Sequence, residues 1–306
     1  MAGLKQIKTK IRSVEKSRQV TKAMEAVSAA KMRKAQIRAI NGRSYARAAV
    51  AVLARVSGSR EMGNHILSHE RPVNHALYIV ITSDKGLAGT LNSGVLSVTL
   101  ADIEGLQLPK SAVSIVAIGR KAADYFVARG YHVERTHFNT DSVTSEVIRE
   151  LVNTGVGRFG SGVVDLVKIS YQNMISTFEQ RPTLRTIFPL SLNELEAVVK
   201  DIVPSRGVFA SGQYAPSARP STYTIEPSQE EVLEAILPRL ASIFVYHALL
   251  ESQASEHSAR MVAMKSASDK AAELTHTLTI TFNKARQAAI TREVSEITGG
   301  MEAMTS

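Results

Sequence analysis

The chain has no cysteine and no tryptophan. Without cysteine there is no disulfide framework, no thiolate metal site, no thiol nucleophile and no redox switch. Aromatic residues make up only 5% of the 306 positions. No uninterrupted run of about 18 apolar residues occurs, the length needed to span a bilayer, and the first residues lack the apolar segment of a secretory signal. Acid is scarce at one end. Residues 1–47 hold 13 Lys+Arg against Glu15 and Glu25, whereas the rest of the chain holds 24 basic and 26 acidic residues. The net charge of +9 is therefore +11 on the first stretch and −2 elsewhere. A charge so placed calls for an acidic partner.

Two stretches lack both glycine and proline, the residues that most reliably end a helix. The longer runs from Arg239 to Thr298 and is filled with helix formers. As one helix it would extend about 90 Å, against a diameter of roughly 50 Å for a compact domain of this chain length. Such a helix needs a partner along its length. Alternating steps of four and three pick out Leu250, Ala254, His257, Met261, Met264, Ser268, Ala271, Thr275, Leu278, Phe282, Ala285 and Ala289, which is a heptad seam. Its alanines, serines and threonines let two helices approach closely. The second stretch, residues 4–41, places Leu4, Ile7, Ile11 and Val14, then Val20, Met24, Val27 and Ala30, at helical spacing. Lys5, Lys8, Arg12, Lys16, Lys22, Arg33 and Lys34 lie opposite. The pattern predicts a basic amphipathic helix continuing past Asn41-Gly42 to about Val56, the antiparallel partner of the C-terminal helix.

Between these ends the pattern changes. Residues 76–82 and 112–118 read as fully buried strands, 131–137 and 165–171 as further strands, and 183–188 as an edge strand. Helices are predicted from Asn92 to Ile103, Gly119 to Arg129 and Ser142 to Leu151. Alternating strands and helices with continuous apolar strands imply a parallel, helix-covered sheet. Residues 204–222 form a Pro/Gly/Ser-rich loop, and Tyr223 to Glu226 is a candidate further strand. Ser228 and Glu231 make a capping box for the final helix, and Pro238 is expected to kink its first turns or to mark its straight start. The predicted class is α/β with a long antiparallel coiled coil made by the N- and C-terminal helices and a central Rossmann-like α/β domain. The expected organisation is an N-terminal coiled-coil helix over 1–56, an α/β foot domain over 57–227 and a long C-terminal coiled-coil helix over 228–306.

No catalytic constellation is visible. The loop Ser83-Asp84-Lys85-Gly86-Leu87-Ala88-Gly89-Thr90-Leu91-Asn92 follows a strand, yet it is neither a P-loop nor G-x-G-x-x-G. Gly86 and Gly89 are better read as allowing a tight strand-to-helix turn. His65, His69 and His75 lack the cysteine or carboxylate company of a metal site and read as surface histidines. Neither cofactor, metal nor catalytic residue is expected. A basic helix could bind nucleic acid, but here basic and apolar residues share the same turns and stacking aromatics are missing. The alternative function kept beside the one below is a coiled-coil adaptor or nucleic-acid-binding protein with a basic helix; an α/β enzyme of unknown substrate is a third.

Three segments carry a resemblance: Ile11-Arg12-Ser13-Val14 and Thr21 to Val27 leading to Lys31-Met32-Arg33-Lys34; the Ser83–Asn92 loop; and Ser255 to Lys265 continuing to Asn283–Ile297. With these the chain resembles the gamma subunit of F-type ATP synthases, bacterial type, over essentially its whole length. It departs from that pattern at Ala88, Thr90 and Met301, and its lack of cysteine excludes the thiol-regulated chloroplast variant. The resemblance implies a non-catalytic central-stalk rotor, a part of a rotary motor coupling ion flow (hydrogen ion transport in many members) to ATP synthesis or hydrolysis. Its implied partners are the alpha and beta subunits of the catalytic ring, the epsilon subunit and the membrane c-ring, with no nucleic acid and no transmembrane segment of its own. The implied location is peripheral, on the cytoplasmic face of the bacterial inner membrane; a start at Met1-Ala2-Gly3 leaves no room for a transit peptide. By residue match, Met24, Arg260, Gln287, Thr291 and Glu293 correspond to the family's shaft-to-ring contacts. The basic face of Lys22, Arg33 and Lys34 is expected to meet acidic loops of beta. Ile290, Val294, Ile297, Met301 and Met304 are expected to form an apolar tip that slides in its sleeve.

Overall fold

The computed structural model describes residues 2–56, 65–138, 143–190 and 228–305. In chain order the elements are α1 (Ala2–Val56), β1 (Ala76–Ile81), α2 (Leu91–Gly105), β2 (Val113–Ile118), α3 (Arg120–Val127), β3 (His132–His137), α4 (Ser145–Gly160), β4 (Leu166–Met174), β5 (Gln180–Phe188) and α5 (Gln229–Thr305). The chain divides into two compact units, residues Met1–Ala29 with Arg260–Ser306, and residues Ala30–Ala259.

The larger unit is built on a five-stranded sheet ordered β3-β2-β1-β4-β5. β1 pairs in parallel with β2 and β4, β2 with β3, and β5 closes the sheet antiparallel to β4. All six residues of β1 are buried, as a central strand covered on both faces requires. One face carries Tyr78, Val80, Ile115 and Ala117 under α2 and α3, and α3 adds Phe126. The other carries Ile79, Ile81, Ile118, Val167 and Ile169 under α4 and the start of α5, with Leu237, Leu240, Val245 and Leu249. That arrangement follows from the connections: β1 to β3 progresses one way across the sheet, the return to β4 goes the other, and right-handed crossovers then put α4 on the opposite face. β3 is an edge strand and its residues are exposed or half-buried, so its sequence is mostly polar where β1 and β2 are apolar. α4 runs to Gly160, beyond the predicted end at Leu151. The 204–222 loop and the candidate strand at Tyr223–Glu226 lie outside the described residues.

Ser228 caps α5: its Oγ accepts from the Glu231 N–H at 3.2 Å, one half of the predicted capping box, and donates to Glu231 Oε1 at 3.2 Å. Pro238 lies inside α5. Its carbonyl accepts from Ser242 Oγ at 2.9 Å, and the helix runs on through it and through Gly299-Gly300. α5 contains a stretch long and apolar enough, by composition alone, to cross a membrane. The apolar residues from Leu233 to Leu249 are packed in the core instead, the ordinary use of such a stretch in a globular unit.

In the smaller unit the heptad seam of α5 is realised. Met264 and Ser268 are buried, and Met261, Ala271, Thr275, Leu278, Phe282 and Ala285 are half-buried. Ala289 is exposed, so the seam ends one step early. On α1 the facing row starts as predicted at Leu4, Ile7, Ile11 and Val14, but continues through Thr21, Met24 and Ser28. Val20 and Val27 are 58% and 57% exposed and Ala30 is exposed. The reason is geometric: the six-residue step from Val14 to Val20 turns a helix by about 600°, roughly 120° away from the seam. Register along the rod outweighs the apolarity of two valines.

Candidate subunit interface

The carboxyl ends of the parallel strands are where an α/β sheet of this kind would hold a ligand, at the switch point between β1 and β4. Here the loop after β1 is instead bonded to the starts of α2 and α3. Ser83, just after β1, has its N–H donating to Asn92 Oδ1 at 3.0 Å, while Asn92 Nδ2 donates to Ser83 Oγ at 2.8 Å. Ser83 Oγ also donates to the Lys85 carbonyl at 2.6 Å. Asp84 Oδ1 accepts from the N–H of Arg120 at 3.0 Å, and Thr82 Oγ1 from that of Ala122 at 2.9 Å. The first N–H groups of α3, which could otherwise greet a phosphate, are thus satisfied from the Thr82–Asn92 loop. Gly89 has φ +61°, and Leu87 rather than Gly86 takes the second left-handed position, at φ +64°. The motif is a structural clasp.

Other charged groups are equally engaged in holding the sheet. Asp165, before β4, binds Arg71 Nε at 2.8 Å and accepts from the N–H groups of Asn74 and His75 at 2.9 and 3.0 Å. Burial opposes its charged form, yet those N–H groups and the guanidinium hold its carboxyl below the usual range. Asp102 takes both Lys168 Nζ, at 2.8 Å, and the Tyr78 hydroxyl; burial and that carboxylate push the tyrosine well above its ordinary value. His65 caps a 3-10 turn by accepting from the Leu67 N–H at 3.2 Å, and His69 and His75 are exposed. No cluster of three or more metal-ligating side chains occurs among the described residues.

The exposed surface of the smaller unit is of another kind. From Arg286 to Thr298 every residue of α5 is exposed. Ile290, Val294 and Ile297 are 52–61% exposed and Met301 65%, at steps of four, three and four, so they make one apolar stripe. Gln287, Thr291 and Glu293 share this stretch, and Thr291 Oγ1 donates to the Gln287 carbonyl at 3.0 Å. Lys22, Arg33 and Lys34 are exposed on α1, and Met24 is half-buried in the seam. Arg260 differs from the rest: it is buried. Met24, Arg260, Gln287, Thr291 and Glu293 stand out in the sequence by residue match to the family, and Lys22, Arg33 and Lys34 by their charge; neither signal marks Arg260 as inward.

The comparisons with known proteins are decisive at this point. The family profile described as ATP synthase matches residues 3–304. The ATP synthase gamma chain of Staphylococcus saprophyticus is 36% identical over 305 residues, covering 99% of this chain and 100% of that one. The chain belongs to the ATP synthase gamma family. Among solved structures, a chain of the Euglena gracilis mitochondrial ATP synthase in rotational state 3 has the same fold, with a TM-score of 0.65, 20% identity and coverage of 99% of this chain and 95% of that one. A chain of the Tetrahymena thermophila mitochondrial ATP synthase central stalk and c-ring structure matches with a TM-score of 0.58 and 24% identity, over 81% of this chain and 99% of that one. Gamma chains are non-catalytic subunits and form the central stalk, so the part played here is that of a stalk in a membrane-associated ATP synthase. The clasp at Ser83–Asn92 and the exposed tip of α5 both suit a subunit that works by contact.

Proposed function

We propose that α1 and α5 turn as a rotor within a ring of three alpha and three beta subunits, while the α/β unit serves as the foot that meets the epsilon subunit and the membrane c-ring. The domain plan is the helix 1–56, the foot 57–227 and the helix 228–306. The complex sits at the cytoplasmic face of a bacterial inner membrane and couples ion flow to ATP synthesis or hydrolysis. The observation that carries this reading is the tip of α5, a helical stretch exposed on every side and bearing an apolar stripe. A helix in that state needs a sheath, and a smooth apolar contact resists rotation less than directional bonds do. Polar residues on the same turns, Gln287, Thr291 and Glu293, then differ in the beta subunit they meet as the angle changes. Each beta conformation is selected by the difference in binding energy it receives. Lys22, Arg33 and Lys34 add long-range attraction to acidic loops, and Met24 lies beside them on α1. Arg260 enters the proposal only where its buried guanidinium is uncovered on assembly.

The test is Gln287→Ala/Thr291→Ala/Glu293→Ala in the assembled complex. Helicity and subunit content should match wild type, because exposed helix substitutions change stability by under about 0.5 kcal/mol each. ATP turnover should fall by about tenfold, equivalent to about 1.4 kcal/mol. Unchanged turnover in a fully assembled triple variant would remove these positions from the mechanism.

A further inference from the structure

α5 is held to the larger unit in two different ways. From Leu233 to Leu249 apolar side chains fill the space over β4 and α4. Further along, the buried side chains become polar: Glu251, Ser252, Gln253, Ser255 and Ser258 are all buried, as is His247 before them. Glu251, Ser252 and Gln253 are consecutive, so at about 100° per residue they point to three sides of the helix. A buried helix segment that is polar nearly all round is uncommon, since each such group needs a partner.

The partners identify a function. Ser255 Oγ donates to the backbone carbonyl of Gln172 on β4 at 3.2 Å, and Ser258 Oγ to that of Thr177 in the β4–β5 turn. Glu251 Oε1 lies 3.6 Å from His247 Nε2. The Tyr171 hydroxyl, buried on β4, feels both the Glu251 carboxylate and Arg185 of β5. Burial and the Glu251 charge raise that hydroxyl to about 12, against the opposing effect of Arg185. Apolar contact is non-directional and would tolerate rotation of α5 or a one-turn slide. Hydrogen bonds to fixed backbone carbonyls are directional and hold one geometry.

We propose that this polar belt, Glu251, Ser255 and Ser258 with Tyr171 and Arg185, sets the axial and rotational register of α5 on the sheet and bears the load when the two are turned against resistance. These are positioning residues. The inference rests on the rotor reading, because only a loaded helix needs a register lock beyond its apolar packing. It separates register from stability: well-packed apolar replacement of a buried charge network is often neutral or stabilising.

The experiment uses the assembled, membrane-reconstituted complex. One variant replaces the network together, Tyr171→Phe/Arg185→Met/His247→Leu/Glu251→Met; a second is Ser255→Ala/Ser258→Ala. Melting temperature, subunit content, ATP hydrolysis and ion pumping are measured on the same preparations. In both variants Tm and hydrolysis should stay near wild type while ions pumped per ATP hydrolysed fall by at least about threefold, as expected if α5 slips by a turn under load. A lowered Tm with an unchanged pumping ratio would overturn the proposal and leave the belt a stabilising feature. If the network variant fails to incorporate, the serine variant decides alone, and an unchanged ratio there also overturns it. Failure of the wild-type complex to couple pumping to hydrolysis would count against the rotor reading instead.

Discussion

Gly119 stands at φ +106° where β2 gives way to α3, and a methyl group added there would lie 2.2 Å from the Thr82 carbonyl oxygen. Backbone on both sides is fixed, the Gly119 N–H donating to the His137 carbonyl at 2.6 Å. Gly119→Ala is therefore expected to cost at least about 3 kcal/mol, from left-handed strain plus the clash, read as a fall in the denaturation midpoint of the purified chain. Asp165 offers a second test at this scale. Because its folded pKa is depressed, its contribution is complete above the unfolded carboxylate value of about 3.9. It is lost as pH falls through the folded value. Asp165→Asn should lower stability by roughly 2–3 kcal/mol at neutral pH, the loss of a charged hydrogen-bond set. The gap to wild type should close as the pH is taken well below 4. A gap that persists unchanged in acid would assign the effect to packing rather than charge.

At the scale of the element, α1 shows how a rod chooses its inward face. Val27 and Ser28 are neighbours, yet the valine is exposed and the serine is 3% exposed. Val27→Gln should change the melting of the helix pair by no more than about 0.5 kcal/mol, whereas Ser28→Gln forces a larger polar side chain into a closed seam and should cost at least about 2 kcal/mol. Circular dichroism melts of the two variants distinguish a heptad register from a simple apolar stripe; equal behaviour would favour the stripe. The seam of α5, by contrast, was legible in the sequence and is realised from Met261 to Ala285, because its small and apolar residues keep one spacing without interruption. On α1 the same register passes through Thr21 and Ser28, whose polarity hides it.

For the whole molecule, charge distribution makes the prediction. The exposed cations Lys22, Arg33 and Lys34 contribute little to folding, under about 1 kcal/mol each. Like charges brought together across an interface cost several kcal/mol. Lys22→Glu/Arg33→Glu/Lys34→Glu should leave the isolated chain folded by circular dichroism while reducing assembly with alpha and beta subunits or the coupling of the assembled complex. Wild-type coupling in the reversed-charge complex would show that these lysines and the arginine are ordinary solvated residues. The isolated chain, with or without the substitutions, should hydrolyse no ATP.

What the sequence by itself determined is the set of features that depend on local rules: two breaker-free helical ends, buried strands within 76–82 and 112–118, and the helix N-cap at Ser228. Helix periodicity and strand apolarity are properties of neighbouring residues, so they can be read along the chain. The tertiary structure alone decided which residues meet across distance. Asp84 finding the N–H of Arg120, Arg71 clasping Asp165, and Ser255 and Ser258 of the polar belt meeting β4 and the β4–β5 turn all join positions far apart in sequence. Their partners become defined only once the sheet order brings β4 beside β1 and lays α5 across it, because a hydrogen bond or ion pair depends on distances of a few ångströms that spacing along the chain does not encode.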